Sequence, residues 1–221
     1  MQANMYLVKT PHFIQTLFPN FVWKMSPKEK TIYLTFDDGP VPEVTPWVLD
    51  VLEAYNAKAT FFCVGENVKK NPSILTDIID KGHAVGSHTF NHLNGWSTDN
   101  IKYYHNVRRG AFEVKSELFR PPYGRLMPQQ AMFLQRHYNI VMWDVLSGDF
   151  DPMISKETCL NNVISNASEG SIVVFHDSQK ASEKLQYALP KALEHFAAEG
   201  YNFKAIDPVH LSNMASLRPT A

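Results

Sequence analysis

With 221 residues, 44% of them hydrophobic, the chain can bury one large core, and no Ser/Gly/Pro-rich linker or charge run divides it, so one domain is expected. A net charge of −1 and a pI near 6.7 leave no electrostatic footprint for nucleic acid, and no block of Lys and Arg appears anywhere. The only cysteines, Cys63 and Cys159, make no disulfide framework and read as buried free thiols.

The first 27 residues fit no element cleanly. In "PHFIQTLFPNFVW", Phe13, Ile14, Leu17, Phe18 and Phe21 fall near helical spacing, which suits a plug packed on the rest of the fold or an anchor at a membrane surface. The lack of a Lys/Arg-rich polar face favours the plug, and membrane association is not expected. The segment has no apolar run of the roughly 7–15 residues that a signal peptide needs. No stretch of the chain approaches the roughly 20 apolar residues of a membrane span. A cytoplasmic protein is the expectation, with residues 1–27 packed on a main domain of residues 28–221.

The first strand, 31–36, lies in "TIYLTFDDGP" and leaves Asp37 and Asp38 at its exit. A helix at about 42–55 and a strand at 59–64 follow. The next helix, about 72–81, sits in "NPSILTDIIDKGH": Pro72 suits the first turn, Ile74, Leu75, Ile78 and Ile79 make one apolar face, and Gly82 is the stop. Strand 83–86, helix 98–116, strand 118–120, helix 128–137 and strand 140–145 continue the alternation. In "SKETCLNNVISNASEG", Ser155 and Thr158 are candidate caps for helix 155–168, Leu160, Val163 and Ile164 share a stripe, and Gly170 ends it. Strand 171–175, helix 181–199 and strand 202–206 complete the chain. Strict alternation argues for an α/β fold with a parallel sheet and right-handed crossovers. Seven strands without an eighth predict a single-domain, distorted or incomplete (β/α)7 barrel, with an open doubly wound sheet as the alternative.

Loops after the C-terminal ends of parallel barrel strands open on one face. That places Asp37 and Asp38 after the first strand, His88 and His92 after the third, Arg120 at the close of the fourth, Asp149 after the fifth and His176 after the sixth, all at one mouth. His88 and His92, four apart in "GSHTFNHLNGW", would project from one side of a helical turn and converge on an ion. Adding a carboxylate makes three protein ligands and leaves a coordination position open, the pattern of a catalytic metal site. Successive residues at a strand exit point in different directions, so one aspartate can hold the ion while its neighbour faces water. A divalent cation and Arg120 would offset the repulsion between the two acids. Gly39 and Pro40 supply the stiff turn.

These residues sit in motifs, "TFDDGP", "HTFNH", "FRPPYG", "WDVLSGDFD" and "IVVFHDS", whose order resembles that of the polysaccharide deacetylases, carbohydrate esterase family four, over residues 30–206. The resemblance implies a metal-dependent hydrolase that removes an acetyl group from an N-acetylated amino sugar, with residues 28–221 as its catalytic domain. It implies Asp37 as general base, Arg120 as the residue that positions it, and Asp38, His88 and His92 as metal ligands. It further implies His176 as general acid, Asp149 as the carboxylate that keeps that imidazole protonated, and the Tyr123 N–H as an oxyanion donor. Trp143 and Val174 are implied as walls for the acyl methyl group. The cofactor it implies is a divalent metal, zinc first, with cobalt, nickel or manganese as alternatives.

Two departures stand out. Where the family often has Trp after the aspartate of its fourth motif, this chain has Phe150. Many relatives act on polymers outside the cytoplasm, whereas this sequence shows no export signal. The expected partner is an acetylated carbohydrate, with no nucleic acid and no protein partner implied. Alternatives are an O-acetyl sugar esterase on the same site and a carbohydrate-binding relative without turnover. A magnesium-dependent phosphoryl hydrolase is disfavoured, because magnesium prefers oxygen ligands and no phosphate-cradling Gly-rich loop is present.

Overall fold

The computed structural model describes residues 6–26, 29–208 and 211. The expected boundary between residues 27 and 28 and the end of the chain beyond 211 lie outside the described residues. In chain order the elements are α1 (His12–Leu17), β1 (Thr31–Asp37), α2 (Val44–Ala54), β2 (Thr60–Cys63), α3 (Gly65–Lys70), α4 (Pro72–Asp80), β3 (Ala84–Ser87), α5 (Asn100–Val114), β4 (Leu118–Phe119), α6 (Pro128–Leu134), β5 (Asn139–Ile140), β6 (Val145–Leu146), α7 (Lys156–Ile164), β7 (Ile172–His176), α8 (Ser182–Ala198) and β8 (Asn202–Phe203). The sheet runs β5-β4-β3-β2-β1-β7-β6, and β8 pairs with the start of β1. Every strand pair is parallel. This is the expected incomplete barrel.

Period-two alternation along β1 divides its side chains between two environments. Ile32, Leu34 and Phe36 join the core under the helices, with Val48, Leu49 and Leu52 of α2 and Leu185, Leu189 and Phe196 of α8. Tyr33 packs on the opposite face with Phe62, Leu118 and Ile172. Thr35 and Asp37 share that inward face with Tyr33, so the pattern that buries the apolar residues also carries Asp37 to the mouth.

The run 140–145 differs from expectation. It splits into β5, which pairs with β4, and β6, which pairs with β7, so the two halves sit at opposite ends of the sheet. The break falls where the carbonyls of Val141 and Met142 accept hydrogen bonds from the Arg120 guanidinium at 3.1 and 2.9 Å instead of joining the ladder. One short helix, α3, lies where the sequence pattern shows no helix.

Both exposed sheet edges meet the N-terminal segment, which satisfies backbone groups that an open edge would leave bare. The Val22 N–H donates to Ile140 O and Val22 O accepts from Met142 N, while Leu146 N donates to Val8 O and Thr10 N to Asp144 O. Lys9 Nζ makes a 2.7 Å ion pair with the buried Asp144 carboxylate, which also accepts from Ser171 Oγ. Within this segment Phe21 is buried, but Phe13, Leu17 and Phe18 are exposed. Among the described residues, no helix is long and apolar enough to cross a membrane.

Candidate active site

Asp38, His88 and His92 converge: one potential ligand atom from each lies within 4.8 Å of the others. The Asp38 Oδ1 is shielded from solvent and has no hydrogen-bond partner. Its close neighbours are Nε2 of His92 at 3.2 Å and Nε2 of His88 at 3.9 Å. A buried acceptor is seldom left orphaned, so this one fits a cation. The His88 Nδ1 lies 2.8 Å from the Arg120 carbonyl. A carbonyl only accepts, so Nδ1 carries the proton and Nε2 keeps its lone pair facing Asp38.

The histidines do not lie on a helical turn. They occupy the loop after β3, where Thr89 and His92 adopt φ of 64° and 55°, while Asp38 and Tyr123 have φ of 83° and 61°. Four non-glycine residues in the left-handed region at one mouth is strain held where a site needs it. Burial lowers the His88 pKa to about 4, which keeps the ring neutral and able to donate its lone pair. For Asp38 burial works against ionisation, but the surrounding imidazoles outweigh it and hold the carboxyl well below the usual carboxylate range.

Asp37 and Arg120 form a second unit. The Arg120 side chain is fully buried, and its Nη1 donates at 2.7 Å to both Asp37 Oδ1 and Thr35 Oγ1. Its guanidinium also stacks 4.0 Å over the Phe62 ring. Arg120 is thus a buried partner of Asp37, not a surface ion pair.

Asp149 and His176 form a third. Asp37 and His176 are register partners on β1 and β7, which brings the imidazole beside the acid pair. Asp149 accepts from the His176 backbone N–H with Oδ2 at 2.7 Å and faces Nδ1 with Oδ1 at 2.8 Å. Burial alone would lower the His176 pKa, yet the carboxylates of Asp149, Asp38 and Asp37 outweigh it and push it up to about 9.

Tyr123 turns its ring edge-on to His92, with centroids 4.8 Å apart, and its N–H donates to no backbone carbonyl among the described residues. Trp143 reaches toward the same turn, since a Cβ on Gly124 would lie 2.7 Å from its indole. Val174, beside Thr35 in the sheet, is only 1% exposed.

One further residue, Asp177, lies in the motif "IVVFHDS" but has no role assigned from the sequence. It is fully buried, accepts from Gly39 N at 3.0 Å and from Thr45 Oγ1 at 2.5 Å, and so fixes the turn that follows the paired acids. A Cβ on Gly39 would lie 2.0 Å from its Oδ2, so the close approach needs glycine. Burial raises the Asp177 pKa to about 8, with the Asp38 charge adding to it and the hydrogen bonds from Thr45 and Gly39 working against it.

A curled parallel sheet with acids, imidazoles and a buried arginine at its carboxyl mouth defines an α/β barrel protein whose candidate active site lies at that mouth. Residues 24–142 match the polysaccharide deacetylase family, and the chain belongs to it. It is 37% identical over 196 residues to a peptidoglycan-N-acetylglucosamine deacetylase of Bacillus cereus, covering 83% of this chain and 90% of that protein. A chitooligosaccharide deacetylase of Azorhizobium caulinodans is 34% identical over 70% of this chain and 77% of its own length. In three dimensions the chain is similar to the crystal structure of a peptidoglycan N-acetylglucosamine deacetylase in complex with a naphthalenyl N-oxidanyl-benzamide. That match has a TM-score of 0.82 and 30% identity, and covers 89% of this chain and 95% of that one.

Proposed function

We propose that the protein is a metal-dependent hydrolase that removes the acetyl group from an N-acetylated amino sugar in a glycan, as the names of its peptidoglycan and chitooligosaccharide relatives suggest. The observation that carries the reading is the buried, unpartnered Asp38 Oδ1 set against two imidazole Nε2 atoms. Asp38, His88 and His92 would hold the cation, and one carboxylate with two imidazoles suits zinc, with cobalt, nickel or manganese as alternatives. When bound, the cation supplies a Lewis acid that acidifies water and polarises the acyl carbonyl.

The other steps belong to the chain's own side chains. Asp37, held by Arg120, takes the proton from the attacking water. The Tyr123 N–H donates to the developing oxyanion. His176 arrives protonated and gives its proton to the departing sugar nitrogen, a leaving group too basic to depart without one. Trp143 and Val174 wall the acetyl methyl. Elemental analysis of purified protein combined with acetate release from N-acetylglucosamine oligomers tests this. About one divalent ion per chain is expected, and stripping it with a chelator should cut acetate release by a factor on the order of 100 or more, with recovery on zinc addition. Full activity after chelation, with no metal found, would sink the reading.

The pH dependence has a definite sign. His176 acts in its protonated form, so the rate should fall as pH rises through about 9, and Asp149→Asn should move that limb to lower pH. Folding follows the same group. Its folded pKa lies above the ordinary 6.5, so its contribution to stability is complete below pH 6.5 and is lost as pH rises through about 9. An alkaline limb unmoved by Asp149→Asn in a rate profile would remove His176 from this role.

A further inference from the structure

Asp149 and Phe150 sit on the tight turn after β6, where the Asp151 N–H donates to the Gly148 carbonyl at 2.9 Å. The turn is anchored by the Ser147 N–H on Val174 O of β7 and by Asn162 Nδ2 of α7 on Ser147 O. On its other side stands a residue from the far end of the sequence. The Tyr6 hydroxyl donates to Asp151 Oδ2 at 2.9 Å, and its ring lies 5.1 Å from Phe150. Phe150 in turn meets the His176 imidazole edge-on, also at 5.1 Å. Gly148 leaves room for this approach, since a Cβ there would lie 2.7 Å from the Tyr6 hydroxyl oxygen. Lys180 places its Nζ 5.7 Å from the Phe150 ring centroid.

We propose that Tyr6 is a positioning residue for proton delivery: through Phe150 and the 148–151 turn it holds Asp149 and the His176 ring in register, so that the N-terminal segment completes the acid half of the active site. This rests on the deacetylase reading above. Tyr6 is not one of the metal ligands, and its effect runs through its ring on Phe150 and its hydroxyl on the 148–151 turn.

The test separates acid-dependent from acid-independent turnover. An amide in an N-acetylglucosamine oligomer needs a proton on its leaving nitrogen, whereas 4-nitrophenyl acetate expels a stable phenolate without one. Tyr6→Ala should lower kcat on the oligomer about tenfold, leaving KM and aryl acetate turnover within about twofold, the pattern of a misplaced acid. Tyr6→Phe, which keeps the ring on Phe150, should restore most of the loss. If Tyr6→Ala is not recovered folded, Tyr6→Leu carries the same expectations. Equal losses on both substrates, or none on the oligomer, would overturn the inference while the deacetylase reading stands. A metal-loaded wild-type protein that releases no acetate from either substrate overturns that reading, and this inference with it.

Discussion

Asp37→Asn is expected to reduce acetate release roughly a thousandfold, within the range of about 10²–10⁴ that a positioned base contributes, while metal content and KM stay near wild type. The argument is one of geometry. Asp37 is 4% exposed and its Oδ1 is taken by Arg120, so Oδ2 is the atom left to face water. Asparagine keeps the shape and an oxygen for Arg120 Nη1, but its amide cannot accept a proton at neutral pH. The variant therefore separates base chemistry from folding in a way that alanine would not. Metal analysis and steady-state kinetics on the same preparation check it, and a rate within tenfold of wild type would remove Asp37 from the role.

How far the sequence carries this site differs from residue to residue. Asp37, Asp38, His88, His92, Asp149 and His176 could be placed at one mouth from the sequence because each lies at or shortly after the end of a readable strand, and the ends of parallel strands gather at one face. The breaks in legibility have physical causes. His88 and His92 converge through positive φ at Thr89 and His92, a loop conformation that a spacing of four does not encode. The 140–145 run reads as one strand by composition, yet the Val141 and Met142 carbonyls bond Arg120 instead of joining the ladder, a partner 21 and 22 positions away. Asp177 acts through contacts 138 and 132 residues away and Tyr6 through one 145 residues away, separations that no local pattern encodes. Burial periodicity places strands; it does not say which distant polar atom a strand exit will meet.

The second large effect lies at Arg120, where stability and function share one side chain. Arg120→Met is expected to destabilise the fold by about 3–5 kcal/mol, the cost of removing one partner of a buried ion pair. It strips the partner from Asp37 Oδ1, the donor from Thr35 Oγ1 and the donors that hold the carbonyls of Val141 and Met142. Methionine fills much of the volume, so the loss measures polar groups left bare more than a cavity. Arg120→Lys should recover only part of it, because a single ammonium cannot span carbonyls on one side and a carboxylate on the other. Combining Arg120→Met with Asp37→Asn gives the sharper result. With the buried carboxylate already neutralised, removing the guanidinium strands no charge, so the double variant should be less destabilised than the two singles summed, by at least about 1 kcal/mol. Urea unfolding of the four proteins measures this, and strict additivity would mean that the pair does not act as a unit. The arginine's backbone carbonyl still accepts from His88 Nδ1 in every variant, so a metal content that survives Arg120→Met would assign that ligand's orientation to the backbone and the base's orientation to the side chain.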